Sequence, residues 1–255
     1  MASLRKRTNL DEMFDAVFES PQDEAVRLVL ADALAERGEP RGELILEQHR
    51  RESRGAGTPS TRERALVKKH GEALMGPLAT VLRQPTFRLG FLSGAALKGG
   101  RHDFAALHGE REWRTIESLS IGSSASNEMA LALLGVPALV SLREVKSLSA
   151  EILVAALKST QPLAWERVTS VSLLSFHVGL REIVRYADRL PKLKVLGFSG
   201  STMMSFPFEE YEPLFGSPLA AQLEHLSLHC EFGDADRVRD AARAAGIKQV
   251  DVTES

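Results

Sequence analysis

The chain lacks the features that mark secreted, membrane and nucleic-acid-binding proteins. Its single cysteine, Cys230, cannot form an internal disulfide, which is typical of a reducing compartment. No run of about 18 apolar residues is present, so no membrane span is expected, and the amino-terminal segment lacks the apolar core of a signal peptide. The formal net charge is −2, whereas dedicated nucleic-acid-binding proteins carry a strong positive excess. These absences predict a cytoplasmic protein that binds neither nucleic acid nor membrane.

The composition is that of an ordinary folded protein, and the first part of the chain is patterned for helices. Hydrophobic residues make up 44% of the 255 residues and charged residues 26%, enough for one large or two small domains. Apolar residues from Leu10 to Phe18 recur on one helical face, with Asn9 as the predicted N-cap. Ser20 and Pro21 predict the start of a second helix.

Further helices are predicted up to about the eightieth residue. Gly38 is expected to end the second helix, and the third carries Leu44 and Ile45. Residues 50–60, RRESRGAGTPS, predict a flexible connection to a helix over residues 62–70. Basic residues cluster here and could form an anion-binding patch, but interleaved acids favour a solvated linker and helix face.

The helical hairpin carries a pattern that is similar to a known family. Residues 23–45, DEAVRLVLADALAERGEPRGELI, resemble the bacterial repeat-companion domain, with Glu39 where Asp is commoner and Ala33 where Trp is frequent. The similarity covers residues 12–48, and the later segments KKHGEALMGPLA and FRLGFLSGAAL look like the family's continuation. The resemblance implies a bacterial, non-enzymatic protein in which this module accompanies a repeat array, including leucine-rich arrays. It implies no particular ligand.

The remainder of the chain is repetitive. Each copy of the pattern has four apolar positions. Two residues separate the first from the second and the second from the third, and one residue separates the third from the fourth. The third apolar residue serves as the marker of the copy. The markers are Leu119, Val145, Val171, Leu196, Leu226 and Val250. Their spacings of 26, 26, 25, 30 and 24 residues match the period of leucine-rich repeats, with one longer loop. A degenerate earlier unit is predicted in GFLSGAALKG, with Leu97 as its marker.

Each repeat offers a short strand that can bury its apolar side only against stacked neighbours. Helical segments lie between the strands, so the pattern predicts a curved solenoid with a parallel sheet and an outer layer of helices. The Asn or Cys ladder of typical leucine-rich repeats is absent, which makes these repeats divergent. The ladder positions hold Ser124, Ala150, Phe176, Ser201 and Glu231.

The strand side is the surface that such solenoids usually use for binding. Residues that flank the buried strand positions are expected to point outward, among them Val195, Gly197, Ser199, Gln249 and Asp251. The outward residues predicted to bind a partner are Ser118, Ser120, Glu144, Lys146, Leu148, Ser170, Ser172, Leu174, His225, Ser227 and His229. Two alternatives remain open: the surface is merely solvated, or the N-terminal helices cover it.

Signals for metal binding and catalysis are weak. HLSLHC places His225 and His229 on one strand face, which could begin a zinc site, but Cys230 points the other way and no third ligand follows by spacing. Surface histidines are the favoured interpretation. GFSGS resembles a nucleophile elbow in part, yet Ser201 stands where the final glycine is required. The sequence has no phosphate-binding loop with its lysine and no His-Glu-x-x-His motif.

Asp32 and Glu36 are four residues apart and share a helix face, which resembles a pair of catalytic carboxylates. A structural role is favoured, because Arg27, Arg37 and Arg41 are available as ion-pair partners across the helical hairpin.

Together these observations predict an α/β protein. A helical repeat-companion module over residues 1–82 would join, and cap, a divergent leucine-rich-repeat solenoid over residues 83–255. The predicted function is a cytoplasmic, non-enzymatic scaffold or adaptor that binds an unknown protein or peptide, with no catalytic residue, metal or cofactor. The alternative is a regulator or inhibitor that occludes a partner enzyme's active site. A catalytic or metal-dependent protein is the third hypothesis.

Overall fold

The computed structural model describes residues 2–123, 125–160, 164–175, 180–198 and 206–254, and the chain is an α/β protein. It divides into two compact units. The first comprises Met1–Lys98, Ala106–Glu117 and Ala138–Ser141. The second comprises Gly99–Ala105, Ser118–Pro137 and Leu142–Ser255. No helix among these described residues is both long and apolar enough to cross a membrane.

The first unit combines helices with a two-stranded hairpin. Its elements are α1 (Ala2–Glu19), α2 (Glu24–Ala35), α3 (Pro40–Ser53), α4 (Thr61–Met75), β1 (Leu82–Arg88) and β2 (Phe91–Leu97). Its core joins the helices to the hairpin turn, because Val17, Leu30 and Ile45 are buried in one cluster with Phe91. Gly42 permits the close approach of α3 to α2, since a Cβ there would lie 2.7 Å from the backbone nitrogen of Ala35.

Two predicted helix starts are wrong. The first helix begins at Ala2, so Asn9 lies inside the helix and does not cap it. The second begins at Glu24 instead of Pro21, because the side chain of Asp23 accepts hydrogen bonds from the backbone N–H groups of Ala25 and Val26.

The segment GFLSGAALKG does not form a parallel repeat. It contributes β2, which pairs antiparallel with β1, and Arg88 lies opposite Phe91. Leu89 and Gly90 connect the two strands with φ angles of 45° and 74°. Two successive positive φ angles fit a tight hairpin turn, which reverses the chain and forces antiparallel pairing. The prediction of a repeat with Leu97 as its marker is therefore wrong.

The second unit alternates strands with helices. Its strands are β3 (Ser118–Ser120), β4 (Glu144–Ser149), β5 (Ser170–Ser175), β6 (Val195–Phe198), β7 (His225–Cys230) and β8 (Gln249–Glu254). Its helices are α5 (Asn127–Leu134), α6 (Ala150–Lys158), α7 (Leu180–Arg185), α8 (Phe208–Phe215), α9 (Pro218–Gln222) and α10 (Ala235–Ala244). Each strand from β3 to β8 pairs in parallel with the next strand along the chain.

The strand register matches the spacing found in the sequence. Every marker lies opposite the next marker: Leu119, Val145, Val171, Leu196, Leu226 and Val250 form one continuous row. Side chains in this row are fully buried from the first marker to the fifth, and Val250 on the last strand is half-buried. Helix α6 contacts both β4 and β5, and α10 contacts β8. The second unit is thus a parallel sheet with helices packed against its buried side.

Candidate functional site

The solvent side of the parallel sheet carries most of the residues that the sequence predicts to contact a partner. We call the outward-pointing residues of β3 to β8 the strand face. One row of the strand face consists of paired Ser118, Glu144, Ser170, Val195, His225 and Gln249. A second row consists of Ser172, Gly197, Ser227 and Asp251, and Ser120 pairs with Lys146 at its other end. The register therefore brings the polar residues of the predicted site together.

Small side chains form the middle of the strand face. Ser170, Ser172, Gly197 and Ser227 are all half-exposed. A Cβ at Gly197 would make only an ordinary contact, 3.9 Å from Cβ of Ser227, so the glycine leaves room above the sheet. Another surface can consequently approach the strands closely at this point, where the hydroxyls of Ser170 and Ser227 can act as donors and acceptors.

The charged residues of β4 neutralise each other. The Nζ atom of Lys146 lies 2.8 Å from Oε2 of Glu144 on the same strand, and both side chains remain partly exposed. Because the pair is exposed, it contributes little to stability. It leaves this part of the strand face without net charge.

The two histidines of β7 lie on the strand face, as the strand period predicts. His225 Nε2 lies 2.7 Å from Oδ2 of Asp251, and Nδ1 of His229 is within hydrogen-bonding distance of Oγ1 of Thr253. Both partners belong to β8. In the described ranges, no group of three or more His, Cys, Asp or Glu side chains is placed to hold a metal ion. Cys230 points to the buried side, and burial raises the pKa of its thiol.

The prediction that Leu148 points outward is wrong. Leu148 is fully buried and lies opposite Leu173, because Ser147 forms a bulge with a φ of 53°. The extra residue turns Leu148 to the inward side, which the repeat pattern assigns to Ser147. Leu174 and Val195 are both half-buried, so both contribute apolar surface.

Several predicted positions lie outside the described residues. They are Ser124, Phe176 and the last three residues of GFSGS, which include Ser199 and Ser201. The sequence analysis expects Asp251 to point outward but does not count it among the partner-binding residues, and it omits Thr253. The repeat pattern gives the signal that would have found them, since it aligns β8 with β7 and so places them beside the two histidines.

The acids of the helical hairpin are not placed as a site. Asp32 and Glu36 are exposed. Arg41 instead donates to the backbone carbonyls of Gly90 at 2.7 Å and Leu74 at 2.9 Å.

Arg27 behaves in the same way. It is buried and donates to the carbonyl of Arg88 at 2.8 Å and to that of Pro21. The ion pairs predicted from Arg27 and Arg41 to Asp32 and Glu36 are therefore wrong, because the terminal nitrogens of both guanidinium groups donate to backbone carbonyls inside the unit instead.

Comparison with known proteins does not identify the chain. No protein-family model matches it, and neither the curated proteins nor the solved structures contain a significant match. The resemblance to repeat-companion domains therefore stays a prediction from the residues themselves.

Proposed function

We propose that this chain is a non-enzymatic interaction scaffold whose strand face binds another protein. Its architecture would be a helical repeat-companion module followed by a divergent leucine-rich-repeat solenoid. The observation that carries the proposal is the register of the second unit, which aligns small, half-exposed, polar residues of successive strands into one continuous surface. Solenoids typically bind through extended surfaces of this kind.

The chemistry of the strand face favours a protein partner. Ser170 and Ser227 can exchange hydrogen bonds with backbone or side-chain groups, and Gly197 permits close approach. The flanking charges are already paired, so a partner need not supply a counter-charge to bury them. Leu174 and Val195 add apolar area to this polar surface, a mixture that is ordinary for non-obligate interfaces.

The repeat interpretation rests on the pairing of the markers. Backbone bonds before the strands follow the same order: the N–H of Ser170 donates to the carbonyl of Arg143, that of Val195 to Thr169, and that of His225 to Lys194. Units that repeat both in sequence spacing and in hydrogen bonding support a solenoid in which each repeat contacts its neighbours.

Affinity capture with matched variants tests the proposal. The substitution Ser227→Arg places a long charged side chain at the centre of the strand face, whereas Ala244→Arg places it at an exposed position of α10. We expect mass spectrometry to find a protein that both wild type and Ala244→Arg retain and that Ser227→Arg loses. The purified partner should then bind with the same ranking. If every retained protein binds Ser227→Arg as tightly as wild type, the strand face is not the binding site.

A further inference from the structure

The first unit contains a cleft that the proposed function does not use. Its volume is about 420 Å³, and residues of α3, α4 and β1 line it. Small-molecule sites typically span about 300–1,000 Å³ and combine apolar walls with a few placed polar groups. The cleft is therefore large enough for a small ligand.

Glu63 is among the residues that line this cleft, and one of its carboxylate oxygens is unsatisfied. Its side chain is only 5% exposed. Oε1 accepts hydrogen bonds from Nε2 of Gln48 at 3.0 Å and from Nη1 of Arg51 at 2.7 Å. Oε2 is buried and finds no hydrogen-bond partner in the described parts of the chain. A buried acceptor without a partner is costly and rare, so a donor from outside the chain would stabilise it.

The surroundings hold Glu63 in place. The amide of Gln48 also donates to the carbonyl of Phe87 at 2.8 Å and accepts the N–H of Gly90 at 2.8 Å, so its orientation is fixed. Arg51 contributes a charge-assisted bond from the same helix. A carboxylate whose neighbours are fully engaged is preorganised to receive one more donor.

Apolar groups form the walls of the cleft. Val67 of α4, Pro85 and Phe87 of β1, and Pro59 all line it. Strand β1 has an extra residue between Arg83 and Thr86, and the neighbouring Gln84 has a φ of 52°. Bulges of this kind redirect side chains and are frequent beside binding sites. The apolar part of a ligand would pack against these walls.

Positive charge exceeds negative charge around the cleft. Arg51 and Glu63 neutralise each other, whereas Arg64 and Lys68 are exposed on the next turns of α4 and also line the cleft. An anionic ligand group is therefore favoured near these two side chains. A cationic donor is disfavoured, so the group that meets Glu63 should be neutral.

We propose that this cleft binds a small aromatic acid with a neutral N–H or O–H donor. The ring packs against Val67, Pro85 and Phe87, the donor bonds to Oε2 of Glu63, and the acid group lies near Lys68. Such a ligand uses the unsatisfied oxygen, the apolar walls and the excess positive charge together.

A pair of chemical probes tests this ligand class on the full chain. Indole-3-acetate has the ring, the acid and a neutral N–H, whereas 1-methylindole-3-acetate carries an N–CH3 group in place of the N–H and so lacks the donor. We expect NMR titration to show binding of indole-3-acetate with Kd of about 1 mM or tighter, and at least roughly tenfold weaker binding of the methylated probe. Absence of indole-3-acetate binding overturns the proposal. Equal binding of both probes overturns the assigned contact with Glu63.

Variants of the cleft give an independent test. Glu63→Gln keeps the size of the side chain but replaces one acceptor, and Val67→Trp fills the cleft from a half-buried position. Lys68→Glu reverses the charge at the cleft, and Lys69→Glu is its matched control, because Lys69 does not line the cleft. We expect the first three variants to weaken indole-3-acetate binding at least about tenfold, and the control to bind as wild type does.

Urea denaturation and circular dichroism establish that each variant is folded. If Glu63→Gln does not fold, Val67→Trp and Lys68→Glu decide the outcome. Unchanged binding by Val67→Trp places the ligand elsewhere and overturns the proposal.

Discussion

Leu148 of β4 lies directly opposite Leu173 of β5, and both side chains are fully buried. Only one residue separates Val171 from Leu173, but two separate their partners Val145 and Leu148. The bulge at Ser147 absorbs the difference, so the buried apolar layer continues across β4. The bulge also fixes which residues of β4 reach the strand face.

Two leucines that the sequence assigns to the same surface should therefore differ in their effect on stability. We predict that Leu148→Ala lowers the free energy of unfolding by about 2–5 kcal/mol, the usual range for a fully buried leucine. Leu174→Ala, at a half-buried position, should lower it by about 1 kcal/mol. Urea denaturation of both variants measures the difference. Equal losses would contradict the burial of Leu148.

The bulge itself should be sensitive to the choice of residue. Ser147 has a φ of 53°, a conformation that costs a residue with a Cβ about 1–2 kcal/mol and costs glycine little. We predict that Ser147→Gly raises the free energy of unfolding by about 1 kcal/mol, whereas Ser147→Val lowers it by about 1–3 kcal/mol. Thermal and urea unfolding check both values. A valine variant as stable as wild type would show that β4 has no bulge.

The periodic features could be predicted from sequence because they follow from local geometry. Alternate residues of a strand face opposite sides, so the spacing of Val171, Leu196 and Leu226 fixes which residues are buried and which strands align. The same alternation places His225 and Ser227 on the strand face. The helical segments between the strands follow from their apolar period for the same reason.

Features that depend on competition or on distant contacts could not be predicted. Ser20 and Asp23 are both suitable N-caps, and only the path of the chain decides that Asp23 is used. Likewise, no local pattern shows that a bulge precedes Leu148. The cleft at Glu63 is assembled from three elements, so its unsatisfied oxygen is visible only in three dimensions.

The stability should depend on pH through an ion pair between the residues that directly precede β6 and β7. Nζ of Lys194 lies 2.9 Å from Oε1 of Glu224, and this hydrogen bond lowers the pKa of Glu224 below its ordinary value of 4.5. A lowered carboxyl pKa stabilises the folded state above the ordinary pKa, and the effect is lost as the pH falls through the folded-state pKa. We predict that Lys194→Gln is less stable than wild type at about pH 7 and equally stable at about pH 2.

Lys192→Gln is the matched control, since Lys192 is an exposed lysine two residues away. Its stability should follow that of wild type at both pH values. A difference between Lys194→Gln and wild type that persists unchanged in acid would show that the lysine acts through packing and not through the carboxylate.

In the helical hairpin, Asp32 is exposed, whereas the guanidinium group of Arg41 is enclosed, so the two residues should differ in their effect on stability. Arg41 donates to the carbonyls of Gly90 and Leu74, and its guanidinium lies 5.0 Å from the ring centre of Phe91. Burial lowers its pKa to about 10, so the group remains charged at neutral pH. Removing it leaves two carbonyls without a donor. We predict that Arg41→Met lowers the free energy of unfolding by about 3 kcal/mol.

Asp32 should behave in the opposite way. It is exposed near the carboxyl end of α2, where a negative charge is unfavourable to the helix dipole. We predict that Asp32→Ala changes the free energy of unfolding by no more than about 0.5 kcal/mol. Arg41→Lys should fall between the two variants, because one ammonium group cannot reach both carbonyls as the guanidinium does. If urea denaturation instead gives Asp32→Ala the larger loss, the acids hold the hairpin together and the arginine contacts do not.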